Sequence, residues 1–188
     1  MKLWWVRHGP THQTAMVGWR DVPADLSDTA RIARLSAYLP RDAPVVSSDL
    51  IRAAATADAL ADGRTRLPHV PDLREFNFGE WDGQPFDSLP EKESRAFWEN
   101  PGDTATPGGE SWNDVNRRVT AAVDDLMMRH RGRDLILVAH IGVIVTQIAR
   151  AAGITPYQAL GHKIDNLSVT EVTHSAGRWQ VGRINHCP

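Results

Sequence analysis

The segment DLILVA, residues 134–139, most constrains what this chain can fold into. Five consecutive apolar residues without alternation are expected for a strand of a parallel sheet covered on both faces. Two other short apolar runs stand in comparable settings. Leu3–Val6 precedes Arg7, His8, Gly9 and Pro10, and PVVSS (44–48) precedes Asp49. Helical periodicity follows each. In LSDTARIARLSAYLP, Ser27 is the expected N-cap, Ile32, Leu35 and Leu39 share a face, and Pro40 ends the helix. Asp49 is the expected cap of LIRAAATADALA, which stops before Gly63. IGVIVTQIARAAG reads as a buried helix closed by Gly153. Strands alternating with helices predict an α/β layered domain.

Two regions behave differently. Residues 68–107 are rich in Pro, Gly and scattered aromatics, and only PEKESRAFWEN, with Pro90 at its start, reads as helix. The stretch at about 76–112 is therefore expected to be an irregular insertion covering something, within a single domain spanning 1–188. After it, SWNDVNRRVTAAVDDLMMRHR predicts a long amphipathic helix capped by Ser111, with Val115, Val119, Val123 and Leu126 facing inward. LSVTEV and WQVGRI form either a terminal hairpin or two neighbouring strands.

In open α/β sheets, ligands bind outside the carboxyl ends of the strands. The first strand ends in Arg7-His8, the second leads through SSDLIR to Arg52, and the third ends at His140. The chain as a whole is acidic, with a formal net charge of -2, which argues against a general nucleic-acid or membrane-surface binder. A few placed cations at three strand ends instead suit a small tetrahedral dianion. Taken singly, each group has a plainer reading: Arg52 as a solvated first-turn residue, His140 as a core histidine, Glu75 as a loop carboxylate. With Cys187 as the one cysteine, no intramolecular disulfide or cysteine cage is possible. His12, His69, His130, His174 and His186 lack ligand-like spacing, so neither metal nor cofactor is expected. The absence of a signal-peptide pattern or long apolar span leads to the expectation of a soluble, cytoplasmic protein.

Five blocks in order, RHGPT, SSDLIRAAATADAL, LREFNFGEWDG, PGGESWNDVNRRV and VAHIGVI, resemble the histidine phosphatase superfamily, also called phosphoglycerate-mutase-like. The similarity runs from Lys2 to about Val172. It implies a three-layer α/β/α sandwich with a mostly parallel central sheet. It also implies His8 as the nucleophile that accepts a phosphoryl group, Arg7, Arg52 and His140 as a phosphate clamp, and Glu75 as proton donor. Thr14, where the family often has Asn, and the backbone N–H of Ile141, where it often has Gly, are further candidates for phosphate binding. Pro10 stands where Glu is frequent, and Thr29 replaces a common helix glycine. Arg118 matches a family position and is expected to be structural.

The resemblance leaves three functions. Mutases of the family carry basic residues after the catalytic glutamate, whereas Glu75 is followed by Phe76, Asn77 and Phe78, as in the phosphatase branch. The expected activity is hydrolysis of a small phosphorylated metabolite, with α-ribazole phosphate one candidate. The alternatives are a phosphoglycerate-type mutase and a non-catalytic phospho-ligand binder. Among the aromatics, Trp4 and Trp5 are expected on opposite faces of the first strand, and Trp81 as an anchor of its own loop. Phe97, Trp98 and Trp112 are read chiefly as packing for the covering segment, with an apolar pocket wall as the sharper alternative.

Overall fold

A computed structural model describes all residues, 1–188. Five strands, β1 (Lys2–Arg7), β2 (Val45–Ser47), β3 (Leu135–Ala139), β4 (Val169–Ser175) and β5 (Arg178–Val181), form one sheet in the order β2-β3-β1-β4-β5. The pairs β2–β3 and β1–β3 are parallel, while β1–β4 and β4–β5 are antiparallel. Six helices accompany the sheet: α1 (Thr29–Tyr38), α2 (Ile51–Leu60), α3 (Glu91–Glu99), α4 (Trp112–Arg129), α5 (Ile141–Ala152) and α6 (Pro156–Leu160).

Successive strand side chains point to opposite faces, and this period divides the core in two. Leu3, Trp5, Leu135, Leu137 and Ala139 join Val115, Val119 and Val123 of α4 and Val143, Ile144 and Ile148 of α5 in one buried cluster. Val6, Val45, Ile136, Val138 and Val169 join Leu35 of α1 and Ala53, Ala57 and Leu60 of α2 in the other. The result is the three-layer α/β/α sandwich, with a sheet that is parallel at its centre. Trp5 is buried in the first cluster and Trp4 packs beside the second, on the two faces of β1 as expected.

Local signals explain most boundaries. Ser111 and Asp114 form a reciprocal capping box at the start of α4, and Gly153, in the left-handed region at φ 65°, closes α5. Two caps differ from expectation. Asp28 rather than Ser27 caps α1, its carboxylate accepting from the Arg31 N–H. Asp49 does not cap α2: its carboxylate is drawn to the Arg74 guanidinium, and Asp21 Oδ1 accepts the Ile51 N–H instead. The C-terminal segment is a hairpin, with Ala176 (φ 48°) and Gly177 (φ 74°) as a two-residue turn between β4 and β5.

The segment after Glu75 contains short 3₁₀ turns and α3. It is held by its own aromatics: Phe76, Phe78, Trp81, Phe97 and Trp112 are all buried in the larger cluster, with edge-to-face contacts among them. Trp81 thus anchors its loop. No helix is long and apolar enough to cross a membrane.

Candidate active site

A cavity of about 440 Å³ opens beyond the carboxyl ends of β1 and β3. Arg7, His8, Arg52 and Glu75 line it, together with Ile141 and Gly142 at the start of α5.

His8 is placed by the sheet itself: its N–H donates to Ala139 O at 3.0 Å, prolonging the β1–β3 pairing by one residue. Its Nδ1 lies 2.7 Å from Gly9 O. A carbonyl can only accept, so Nδ1 carries the proton and Nε2, which has no protein partner, keeps its lone pair. Burial, reinforced by the charges of Arg52 and Arg7, lowers the imidazole to about 3, so it is neutral at pH 7. The loop is pinned around it. Gly9 N–H donates to Thr56 Oγ1 at 3.0 Å, and Asn166 Nδ2 donates to His8 O at 2.8 Å.

The two guanidiniums are oriented by backbone carbonyls. Arg52 donates to Gly18 O (2.6 Å) and Arg20 O (3.0 Å), and Arg7 donates to Ile164 O (2.6 Å). Burial lowers both below the ordinary arginine value, against the pull of Glu75, but a guanidinium stays charged. Neither takes part in a salt bridge, although Arg52 is only 1% exposed. Two partly desolvated cations without a carboxylate partner create a strong demand for an anion in the cavity. The positive end of α5 adds to it: the Ile141 N–H, at the first helical residue, has no acceptor within the helix.

Glu75 is 4% exposed, with Oε1 accepting the Phe76 N–H at 3.0 Å and Oε2 the Gly142 N–H at 3.2 Å. Burial raises its pKa, although those two amides and the arginines oppose the shift. Its loop is held from behind by Arg118, which donates to the carbonyls of Asp72, Arg74 and Glu75 and pairs with Glu110 at 2.7 Å. Arg118 is thus a strut for the acid. Gly142 is required by the same approach, since a Cβ there would sit 2.2 Å from Glu75 Oε1 and 2.4 Å from the Phe76 ring.

His140 is fully buried beside His8, with ring centroids 5.0 Å apart, and does not reach the cavity surface. Its Nε2 meets Ser48 Oγ at 2.9 Å, while Nδ1 is buried without a partner. Burial, then the charges of His8 and the arginines, keeps it well below the ordinary histidine value. Thr14 is exposed and lies off the cavity; Thr11 and Gln13 of the same loop line it instead. Of Phe97, Trp98 and Trp112 only Trp98 lines the wall. The other wall residues include Met16, Phe78, Phe86, Val145 and Leu160. Phe86 and Leu160 carried no sequence signal, because only tertiary folding brings them to the cavity. No group of three or more His, Cys, Asp or Glu is arranged to hold a metal ion.

Chemically, such a site can hold a dianion between two guanidiniums and a helix N-terminus, against an imidazole lone pair and beside a carboxyl disposed to keep its proton. The fold and these groups define an α/β protein with a histidine and two arginines lining a cavity at the carboxyl end of its sheet. The chain belongs to the histidine phosphatase superfamily (branch 1), whose sequence model matches residues 3–186. It is 32% identical over 160 residues to the adenosylcobalamin/alpha-ribazole phosphatase of Salmonella typhimurium, covering 80% of this chain and 79% of that one. It is 31% identical over 191 residues to a probable phosphoglycerate mutase of Yersinia pestis, covering 95% and 87%. Three mycobacterial relatives that match at 32% identity over 160 residues are longer, and the chain spans 42% of their length. Among solved structures, Bacillus stearothermophilus YhfR superposes with a TM-score of 0.89 at 26% identity, covering 98% of this chain and 96% of that one.

Proposed function

We propose that the protein is a phosphomonoesterase acting through a phosphohistidine on His8. The observation that carries this reading is the free Nε2 lone pair of a neutral His8 in a cavity whose two arginines have no carboxylate partner. The Nε2 lone pair attacks phosphorus and the P–O bond to the alcohol breaks. Arg7, Arg52 and the Ile141 N–H meet the charge on the equatorial oxygens. Glu75, whose raised pKa favours the protonated form, gives its proton to the leaving alkoxide. In the second half, the Glu75 carboxylate takes a proton from water, the resulting hydroxide attacks phosphorus, and the P–N bond breaks. Inorganic phosphate leaves and His8 regains its lone pair. His140 packs against His8 and is held by Ser48, so its part is to position the nucleophile. The steps require no metal.

The likeness to a probable phosphoglycerate mutase keeps a second reading in view. A mutase must also hold a second anionic group, yet Arg7 and Arg52 are the only Lys or Arg side chains lining the cavity, and both serve the transferred phosphate. Hydrolysis is therefore favoured. A phospho-ligand binder without chemistry would have no use for both a free nucleophile and a buried acid. The test is release of inorganic phosphate from a panel of monoesters in the presence of EDTA. Turnover by the wild-type chain and its loss in His8→Asn are expected. Unchanged turnover in His8→Asn, or no turnover of any ester, overturns the proposal, and faster isomerisation of a monophosphoglycerate than hydrolysis of any ester selects the mutase.

A further inference from the structure

The cavity is chemically two-sided. Its charged and titratable groups come from the end of β1, the start of α2 and the Glu75 loop alone. The rest of the lining is largely apolar and includes Met16, Phe78, Phe86, Trp98 and Leu160, with Gln13 and Thr11 as its uncharged polar side chains. Phe78, Phe97 and Trp98 brace one another, with centroid separations of 4.7 to 6.5 Å, so the aromatic side of the wall is backed by packed core. Phe86 is 59% exposed and Leu160 half-buried, which leaves apolar surface facing water at the opening. A second observation concerns charge. The shallow surface pocket that shares Phe86 and Trp98 is lined by Asp87, Glu91 and Glu99 against a single cation, Arg95. Arg95 is itself engaged by Glu91 at 3.2 Å and Glu99 at 3.6 Å. A carboxylate or second phosphate on the leaving group would meet no free cation there and would face net negative charge.

Building on the phosphomonoesterase reading, we propose that the substrate is the phosphate monoester of an apolar alcohol, an alkyl or aryl group with no second negative charge. The phosphate sits on Arg7 and Arg52, and the hydrocarbon is removed from water against Phe78, Phe86, Trp98 and Leu160. Burial of a methylene group in such a wall is worth about a fourfold gain in binding. That gain is fully realised in kcat/KM when the group is equally buried in the transition state.

The experiment measures kcat/KM for methyl, ethyl, butyl and hexyl phosphate and for 3-phosphoglycerate with the full chain. A rise of roughly threefold to fourfold per methylene until the wall is covered is expected, with 3-phosphoglycerate below ethyl phosphate. Trp98→Ala should lower the hexyl-to-methyl ratio. Phe86→Arg, at a position exposed enough to leave folding intact, should lower the same ratio and raise the relative rate on 3-phosphoglycerate. A flat series, or a preference for 3-phosphoglycerate in the wild-type chain, overturns this inference while leaving the phosphomonoesterase reading standing. Absence of turnover on every ester removes that reading and this one together.

Discussion

The depressed pKa of His8 has a measurable consequence for stability. In the unfolded chain the imidazole titrates near 6.5, and in the fold burial lowers it to about 3. As pH falls, the unfolded chain therefore takes up this proton first. The stability the neutral imidazole confers is complete above about pH 6.5 and is lost progressively as pH falls toward 3. Between pH 7 and pH 5 the loss from this one group is about 2 kcal/mol. Other buried groups also titrate: His140 shifts in the same direction, and Glu75, whose pKa is raised, has the opposite sign. The comparison is with His8→Asn, whose amide can still donate to Gly9 O but does not titrate, and in which burial, the main cause of the His140 shift, remains. Urea unfolding of both proteins at pH 7 and pH 5 should show the wild-type chain losing about 2 kcal/mol more than the variant. Equal losses would mean that His8 is not held neutral by burial, and the argument for an uncharged nucleophile would fail.

Glu75→Gln keeps the size of the side chain and one of its two accepted amide hydrogen bonds but removes the proton, and should cost about 10²–10⁴-fold in kcat/KM on alkyl phosphates. On a nitrophenyl phosphate, whose leaving group needs no proton, the loss should be far smaller, and equal losses would reduce Glu75 to a positioning role. Gly142→Ala would on helix propensity alone be stabilising, by about 1 kcal/mol. The 2.2 Å approach to Glu75 Oε1 instead predicts displacement of the acid and a loss of about 10²-fold on alkyl esters, and wild-type kinetics in this variant would contradict the close approach.

What the sequence revealed, and what it concealed, divides by the range of the interactions. β3 was legible because five buried apolar residues in a row admit few other solutions, and α4 because its cap and its inward valines are local. Asp49 was misassigned because its partner, Arg74, lies 25 residues away. α6 was overlooked because five residues carry no periodicity, although Thr155, Pro156 and Gln158 spell its capping box. In the site, Arg7, His8, Arg52 and Glu75, each singled out by the sequence, are brought to one cavity. The sequence points to Thr14, whereas Thr11 and Gln13 line the wall. The loop after His8 has no period from which direction can be read, and it turns at His12, which has φ 55°. His140 was placed in the neighbourhood, but its full burial beside His8, off the cavity surface, is decided by packing. The apolar wall joins residues from the loop after His8, the covering segment and α6, and no single stretch of chain announces such convergence.

The central claim is that His8 Nε2 becomes covalently phosphorylated. The chain mixed with an aryl phosphate and quenched in alkali should carry one phosphoryl group on the peptide that contains His8, and acid should remove it. Phosphoryl transfer to any other residue, or an equally labelled His8→Asn variant, would contradict the account.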